Sequence, residues 1–138
     1  MSAYETALNF FHACDQAKGW EGCKAYVAPG AAFETQAGAL ADVKTVEGYC
    51  EWMKGLAGLL PDCSYDLHAS AWDADNNAAV FVATFSGTHT REGGPVPPTN
   101  KRVATDYVYT VSMNADGKVE KLHKTWNDGH ALQQLGWA

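Results

Sequence analysis

The stretch AAVFVATFSGTHT, residues 78–90, decides the fold. It is rich in β-branched and aromatic residues, so it predicts a long β-strand. Turn-forming residues bound it on both sides: DADNN at 73–77 precedes it, and REGGPVPPTN at 91–100, with three prolines and two glycines, follows it. The strand therefore lies between a tight turn and a loop.

Further strands are predicted on either side. Residues 63–72 alternate in polarity before the turn, 101–113 follow the loop, and 118–127 come after a second tight turn at 114–117. Because consecutive strands with short connections usually pair, we expect a four-stranded antiparallel meander.

The sequence before Pro61 has the period of helices instead. Apolar residues at three- and four-residue steps predict a helix over 3–18, and a stripe from Val43 to Leu60 predicts a longer helix that ends at Pro61. The predicted elements between them are a short helix over 21–26 and a short strand over 31–36.

Helices first and strands afterwards indicate an α+β fold. We expect a single domain over residues 1–138. In it, the N-terminal helices pack in the concave face of a strongly curved antiparallel sheet, which leaves a cone with a cavity.

Charge and composition exclude several partner classes. Ten basic and sixteen acidic residues give a net charge of −6 without a basic cluster, which argues against nucleic acids and anionic membranes. No apolar run approaches the roughly 20 residues of a membrane-spanning helix, and the N-terminus lacks the features of a signal peptide. We therefore expect a cytoplasmic protein with reduced cysteines, whose spacing matches no zinc or redox motif, and no metal site.

The turn at 114–117 suggests a register for the last two strands. We expect Met113 to lie opposite Lys118. The pairs that follow are Tyr109–Leu122 and Thr105–Trp126. The more aromatic face, expected to meet the helices, carries Thr105, Tyr107, Tyr109, Val111, Leu122, Lys124 and Trp126. The more polar face, expected to meet solvent or a second subunit, carries Ala104, Asp106, Val108, Thr110, Val119, Lys121, His123 and Asn127.

Four short motifs in the chain resemble those of one family. GTHT at 87–90, PPTNKRV at 97–103, DGKVE at 116–120 and LQQLG at 132–136 resemble the motifs GTHTG, PPTGK, DGKIxE and LQQLG of SnoaL-like polyketide cyclases, in the same order. The resemblance implies a nuclear-transport-factor-2-like α+β cone (also called cystatin-like) with a deep pocket. It also implies a homodimer, which we expect to form through the outer sheet face, and aldol-type ring closure without metal or cofactor. An apolar or aromatic small molecule is the expected partner.

The acid/base residue that the resemblance implies is out of register here. An ungapped count from DGKVE puts Asn127 where the family has its catalytic aspartate and His123 where it has a tryptophan. Asp128 and Trp126 stand next to these positions. Asp128 is therefore the best candidate for proton transfer, and capping the last helix is its alternative role.

Four more residues are candidates for the same chemistry. His89 would protonate a forming alkoxide or hold an enolate by hydrogen bonding, or else fix the following loop, and Asn127 would stabilise an enolate. Glu34 resembles the general base of ketosteroid isomerases in a short comparison, and a solvated strand residue is its alternative. Tyr109 falls where those isomerases have an oxyanion donor, and a core tyrosine is its alternative.

The pocket wall is expected to be largely aromatic. Its predicted members are Trp126, Tyr107, Trp52, Phe85 and Leu122. Two classes of function remain open: a cofactor-independent cyclase or isomerase acting on a small carbonyl compound, and a non-catalytic module that binds an apolar molecule or dimerises. A ketosteroid-isomerase-like or dehydratase-like enzyme centred on Glu34 lies between them. Catalysis requires a buried carboxylate beside a hydrogen-bond donor, whereas binding does not.

Overall fold

The computed structural model describes residues 1–138 and confirms the α+β class. The α-helices are α1 (Ala3–Asp15), α2 (Gly19–Cys23), α3 (Val46–Leu59) and α4 (Asp128–Leu135). The strands are β1 (Val27–Thr35), β2 (Ser64–Asp73), β3 (Ala78–Thr88), β4 (Arg102–Met113) and β5 (Val119–Trp126). Short 3₁₀ turns at Lys24–Tyr26 and Gly38–Leu40 flank β1.

The ends of the two main helices differ slightly from those expected. Helix α1 stops at Asp15 rather than at residue 18, because Ala17 takes a left-handed backbone conformation with φ of 61°. Helix α3 begins at Val46 rather than at residue 43, because the Thr45 hydroxyl caps it by accepting from the Gly48 amide at 3.0 Å.

The five strands form one sheet in the order β1-β5-β4-β3-β2. Strands β2 to β5 make the expected antiparallel meander. The segment expected as a short strand over 31–36 belongs to the longer β1, which pairs in parallel with β5 and places Phe33 beside Leu122. The sheet is therefore five-stranded with one parallel edge, whereas the predicted four-stranded meander did not include the strand expected over 31–36.

The register predicted for the last hairpin is wrong by two residues. The observed partner of Tyr109 is Lys124, and that of Tyr107 is Trp126. One residue of the shift comes from the turn, since Met113 pairs with Val119 rather than Lys118, and the other from a bulge between the pairs Ser112–Lys121 and Met113–Val119, which adds one residue to β5. A shift of two residues leaves each side chain on its expected face. The exception is Val119, which lies beyond the bulge and is fully buried rather than outward-facing.

The core lies between the concave face of the sheet and helices α1 and α3. Phe10 and Phe11 of α1 are fully buried, and the Phe11 ring stacks on Phe81 of β3 with centroids 5.0 Å apart. Each buried ring of this size contributes about 2–3 kcal/mol by removal of apolar surface from water. The Phe11 ring also meets Tyr109 of β4 edge to face with centroids 5.7 Å apart, so this packing holds the C-terminal end of α1 against β3 and β4. No helix of the protein combines the length and the hydropathy needed to cross a membrane.

Candidate functional site

A cavity of about 540 Å³ opens at one end of the cone. Its walls come from the C-terminal half of α3, the ends of β3, β4 and β5 nearest the opening, the loop after β3, and α4. The lining residues are Ala39, Trp52, Gly55, Leu56, Leu59, Phe85, Gly93, Gly94, Pro95, Val103, Thr105, Trp126, Ala131, Leu132, Leu135 and Trp137. The volume and the mostly apolar wall suit a small organic molecule.

Two of the three indole N–H groups in the cavity wall have partners inside the protein, whereas that of Trp52 has none. Trp126 Nε1 donates to Thr105 Oγ1 at 2.9 Å, and Trp137 Nε1 donates to His89 Nδ1 at 2.9 Å. No carboxylate lines this cavity. The cavity wall therefore provides shape and apolar contact, and ionisable groups must act from behind it.

A buried carboxylate lies deeper in the cone, where α1 ends. Asp15 is 4% exposed and accepts two hydrogen bonds from β4. Tyr109 donates to Oδ1 at 2.8 Å, and Tyr107 donates to Oδ2 through a short hydrogen bond. Alternate residues of a strand share a face at a spacing of about 7 Å, so Thr105, Tyr107 and Tyr109 descend in steps from the cavity into the cone.

Tyr49 and Lys124 extend this carboxylate into a continuous chain. The Tyr49 and Tyr109 hydroxyls are 2.5 Å apart, and Lys124 Nζ donates to the Tyr49 hydroxyl at 2.9 Å. An ammonium can only donate and an ionised carboxylate can only accept, so the direction is fixed when both are charged. Hydrogen bonds run from Lys124 through Tyr49 and Tyr109 to Asp15. We call these four residues, together with Tyr107, the inner network.

Aromatic rings surround the Lys124 ammonium. Its Nζ lies 4.2 Å from the ring centroid of Trp126, 5.1 Å from Tyr49, 5.2 Å from Trp52 and 5.4 Å from Tyr107. These distances are within the range of cation–π attraction. Because Trp52 and Trp126 also line the cavity, one layer of aromatic side chains separates the ammonium from the cavity.

Burial changes the acidity of both charged members of the inner network. It raises the pKa of Asp15 to about 6, although hydrogen bonds from Tyr107 and Tyr109 and the charge of Lys124 lower it. Burial lowers the pKa of Lys124 to about 8, although the negative charge of Asp15 raises it. Both groups therefore titrate within about a unit of neutral pH, where general acids and bases work best.

The structure brings only one of the five predicted catalytic residues, Tyr109, into the inner network. Asp128 lies at the rim of the cavity, where its Oδ2 accepts from the amide of Ala39 at 2.8 Å. Asn127 is exposed and caps α4 by accepting from the His130 amide at 3.0 Å. Helix capping, expected as an alternative role for Asp128, belongs to Asn127.

His89 and Glu34 lie away from the inner network. His89 is fully buried, and its Nε2 lies 3.0 Å from the Arg91 carbonyl, while its Nδ1 accepts from Trp137. Its ring thus joins the loop after β3 to the C-terminal segment. Glu34 is exposed on β1 beside His123 of β5, outside the cavity.

Three of the five predicted pocket residues line the cavity: Trp52, Phe85 and Trp126. Tyr107 lies in the next layer, where it holds Asp15. Leu122 is fully buried below that layer, opposite Val111. These two were expected in the wall because they share its face of the sheet, but the cavity ends above them.

Sequence reasoning missed Asp15, Tyr49 and Lys124. A signal was present for two of them, because Asp15 continues the apolar stripe of α1 and Lys124 lies between Leu122 and Trp126 on the aromatic face of β5. Charged residues on an apolar face are buried only when they have partners. Tyr49 had no such signal, since a tyrosine on the apolar stripe of a helix is usual.

The comparisons with known proteins address the family directly. The model of the SnoaL-like domain matches residues 7–122. The chain belongs to the SnoaL-like family. No curated protein sequence matches this SnoaL-like chain closely enough to suggest a more specific function.

Solved structures share the fold at low sequence identity. IdmH from Streptomyces antibioticus, described as a proposed polyketide cyclase, is 18% identical with a TM-score of 0.78, and 99% of each chain is covered. A proposed SnoaL-like polyketide cyclase from Jannaschia sp. CCS1 is 19% identical with a TM-score of 0.78, covering 99% of this chain and 92% of that one. AclR from Streptomyces galilaeus, described as a proposed hydroxylase, is 20% identical with a TM-score of 0.75, covering 99% and 85%. At these identities the likeness shows the SnoaL-like, nuclear-transport-factor-2-like fold and no particular reaction.

Proposed function

We propose that this SnoaL-like protein is a cofactor-independent enzyme that enolises a small, largely apolar carbonyl compound. The observation that carries the proposal is the buried Asp15 carboxylate, held by two tyrosine hydroxyls directly below an apolar cavity. A buried carboxylate beside hydrogen-bond donors is the feature that separates a catalytic pocket from a binding pocket. The enolate then attacks a second carbonyl group, as in a cyclase, or is protonated at another carbon, as in an isomerase.

The inner network supplies a route for the proton. A proton that leaves the carbon next to the carbonyl group goes to the Tyr107 phenol oxygen, and Tyr107 passes its own proton to Asp15. The second transfer needs no movement of heavy atoms, because the hydrogen bond between Tyr107 and Asp15 already exists. The first requires the carbonyl end of the substrate to reach past the cavity floor to Tyr107, which lies in the layer below it. With its pKa raised to about 6, Asp15 is ionised at neutral pH and is still a stronger base than an ordinary aspartate.

Lys124 supplies the opposite charge. Its ammonium lies behind the Trp52 and Trp126 rings, on the side of the network nearest the cavity. Negative charge that develops on a carbonyl oxygen at the cavity floor is stabilised by this ammonium, since surrounding aromatic rings exclude water. The apolar body of the substrate stays in the cavity. These roles require side chains only, and no cofactor.

The test is the exchange of the hydrogens next to a ketone group for deuterium, followed by NMR with acetophenone and 2-tetralone in D2O. We expect the protein to accelerate exchange and Asp15→Asn to reduce the acceleration by about 100-fold, the contribution typical of a general base. The matched variant is Asp128→Asn, which removes a carboxylate at the cavity rim. Full activity in Asp15→Asn and loss in Asp128→Asn would transfer the role of base to Asp128.

Binding without catalysis is the second candidate function. It is favoured by the apolar cavity wall, in which two of the three indole N–H groups already have partners. An apolar fluorescent dye that binds in the cavity, with no deuterium exchange in any ketone, would support this function against enolisation.

A further inference from the structure

We propose that Lys124 is a nucleophile that forms a Schiff base with the carbonyl carbon of the substrate. The inference rests on the proposed function, because it takes the substrate to be a small ketone or aldehyde held in the same cavity. It changes the role of Lys124 from a charge beside the reaction to a covalent participant in it.

The surroundings of Lys124 are those of a reactive amine rather than of an ion pair. Its Nζ has one hydrogen-bond partner, the Tyr49 hydroxyl, and forms no salt bridge. The side chain is 5% exposed, so water contributes little to solvation of the charged form. Desolvation in an apolar pocket is a standard way to increase the fraction of neutral, nucleophilic lysine.

The titratable groups around the amine come from several elements. Asp15 and Cys14 face it from α1, Tyr49 from α3, and Tyr107 from β4. The charge of Asp15 favours the ammonium, but burial outweighs it and lowers the pKa of Lys124 to about 8. At pH 8 about half of the Lys124 side chains are therefore neutral, compared with well under one percent for an ordinary lysine.

The cavity gives a carbonyl group a short approach to the amine. Trp52 and Trp126 belong both to the cavity wall and to the rings around Lys124. Their centroids are 6.0 Å apart, with the rings edge to face. The two rings are therefore in contact, and a carbonyl group reaches the amine when one of them turns aside, with the apolar body of the substrate still in the cavity.

The covalent step balances without a cofactor. The neutral amine attacks the carbonyl carbon and forms a C–N bond, and the carbonyl oxygen takes up a proton. The resulting carbinolamine loses its C–O bond and releases water, which leaves an iminium ion. Loss of the neighbouring C–H proton gives an enamine, whose carbon attacks an electrophile or is protonated again. Hydrolysis by water then releases the product and the free lysine.

The inner network gives the displaced protons a path. A proton released by the amine moves to the Tyr49 hydroxyl, then to Tyr109, then to Asp15, along hydrogen bonds of 2.9, 2.5 and 2.8 Å. The same path returns a proton when the carbinolamine loses water. Asp15 is thus the proton reservoir for both steps.

The test is covalent trapping of the whole protein. The protein is incubated with acetylacetone, which forms a conjugated enaminone with reactive amines, or with propanal and sodium cyanoborohydride, which reduces the imine to a stable secondary amine. Peptide mass mapping then locates the adduct. We expect modification first at Lys124, with a rate that rises through a pKa of about 8. Modification of exposed lysines alone, with Lys124 free, overturns the proposal.

Two variants sharpen this result. Lys124→Arg keeps the positive charge and removes the nucleophile, so we expect it to abolish the fast adduct. Lys121→Arg, on the outer face of the same strand, should leave it unchanged. Circular dichroism checks that each variant is folded. If Lys124→Arg does not fold, peptide mass mapping of the unaltered protein still shows whether the adduct forms at Lys124.

Deuterium exchange separates failure of this inference from failure of the proposed function. Exchange that depends on Asp15 and persists in Lys124→Arg, together with no adduct at Lys124, overturns the Schiff base and leaves the proposed enolisation intact. An adduct at Lys124 without exchange in any ketone supports the nucleophile and contradicts the proposed role of Asp15.

Discussion

The two faces of the same sheet carry hydrogen-bonded polar chains of similar composition. On the concave face the inner network joins Asp15 to Lys124 through tyrosine hydroxyls. On the outer face His68 Nε2 lies 2.7 Å from the Thr84 hydroxyl, which donates to Asp106 Oδ1 at 2.7 Å. Each chain has a carboxylate, a bridging hydroxyl and a nitrogen base. We call His68, Thr84 and Asp106 the outer chain.

The inner network and the outer chain of hydrogen-bonded side chains differ in their exposure to water rather than in their hydrogen bonds. Asp106 and His68 are exposed, whereas Asp15 and Lys124 are about 5% exposed or less. Water competes for the outer groups and screens their charges, so hydrogen-bond geometry alone changes little there. In the water-free interior, the same kind of hydrogen-bonded chain shifts the pKa values of its charged groups, and their burial lowers the free energy of unfolding. The apolar side chains that cover the inner network, and not its hydrogen bonds alone, are therefore what make its charged groups suitable for chemistry.

The largest difference between the inner network and the outer chain should be the loss of stability when the bridging hydroxyl is removed. Tyr109→Phe removes one of the two hydrogen bonds to the buried Asp15 carboxylate and leaves the Tyr49 hydroxyl proton without an acceptor, so we expect a loss of about 3 kcal/mol in the free energy of unfolding. Thr84→Val in the outer chain should cost no more than about 0.5 kcal/mol. Urea denaturation of both variants measures the difference, and equal effects would contradict the contrast.

The pH dependence of stability should come from the inner network. The folded-state pKa of Asp15, about 6, is above its ordinary 3.8, so stability should fall as pH rises from about 4 to 6. The folded-state pKa of Lys124, about 8, is below its ordinary 10.5, so stability should rise between about pH 8 and 10.5. Each arm is expected to span about 3 kcal/mol.

Variants assign each arm of this profile. Asp15→Asn should remove the acidic arm and Lys124→Met the alkaline arm, as measured by chemical denaturation at a series of pH values. Asp106→Asn is the control from the outer chain and should leave both arms in place. An acidic arm that survives in Asp15→Asn would assign it to another group.

The charge of Lys124 should reduce stability near neutral pH. Because burial disfavours its ammonium, Lys124→Met should raise the free energy of unfolding at pH 7 by about 1–2 kcal/mol while it lowers any activity. Lys121→Met, on the outer face of the same strand, should change it by less than about 0.5 kcal/mol. A large loss of stability in Lys124→Met would show that the lysine is structural.

The smallest expected effect concerns the predicted homodimer. Val82, 37% exposed, lies opposite Val108 on the outer face, next to Thr84. If copies of the chain associate through this face, Val82→Glu should shift the mass measured by light scattering from dimer to monomer. A dimer would also cover the outer chain, and Thr84→Val should then cost more at high protein concentration than at low concentration.

The sequence predicted the fold better than it predicted the candidate site. Periodicity and turn residues located α1, α3 and four strands, and the alternation along β4 and β5 assigned the aromatic face correctly despite a wrong register. Those signals are local. The inner network is not, since Asp15 meets Tyr107 and Tyr109 across 92 and 94 residues of chain. Motif matching located His89 and Asp128, which lie where the loop and the last helix meet the cavity.

The long separation between Asp15 and its tyrosines has a kinetic consequence. Helix α1 forms from local contacts with its carboxylate still in water, whereas β1 reaches β5 only after nearly the whole chain is available. Contacts between such distant segments form late and slow the overall rate. Dehydration of Asp15 therefore belongs to a late folding step. The refolding rate should fall between about pH 4 and 6, as the carboxylate that must be buried gains its charge.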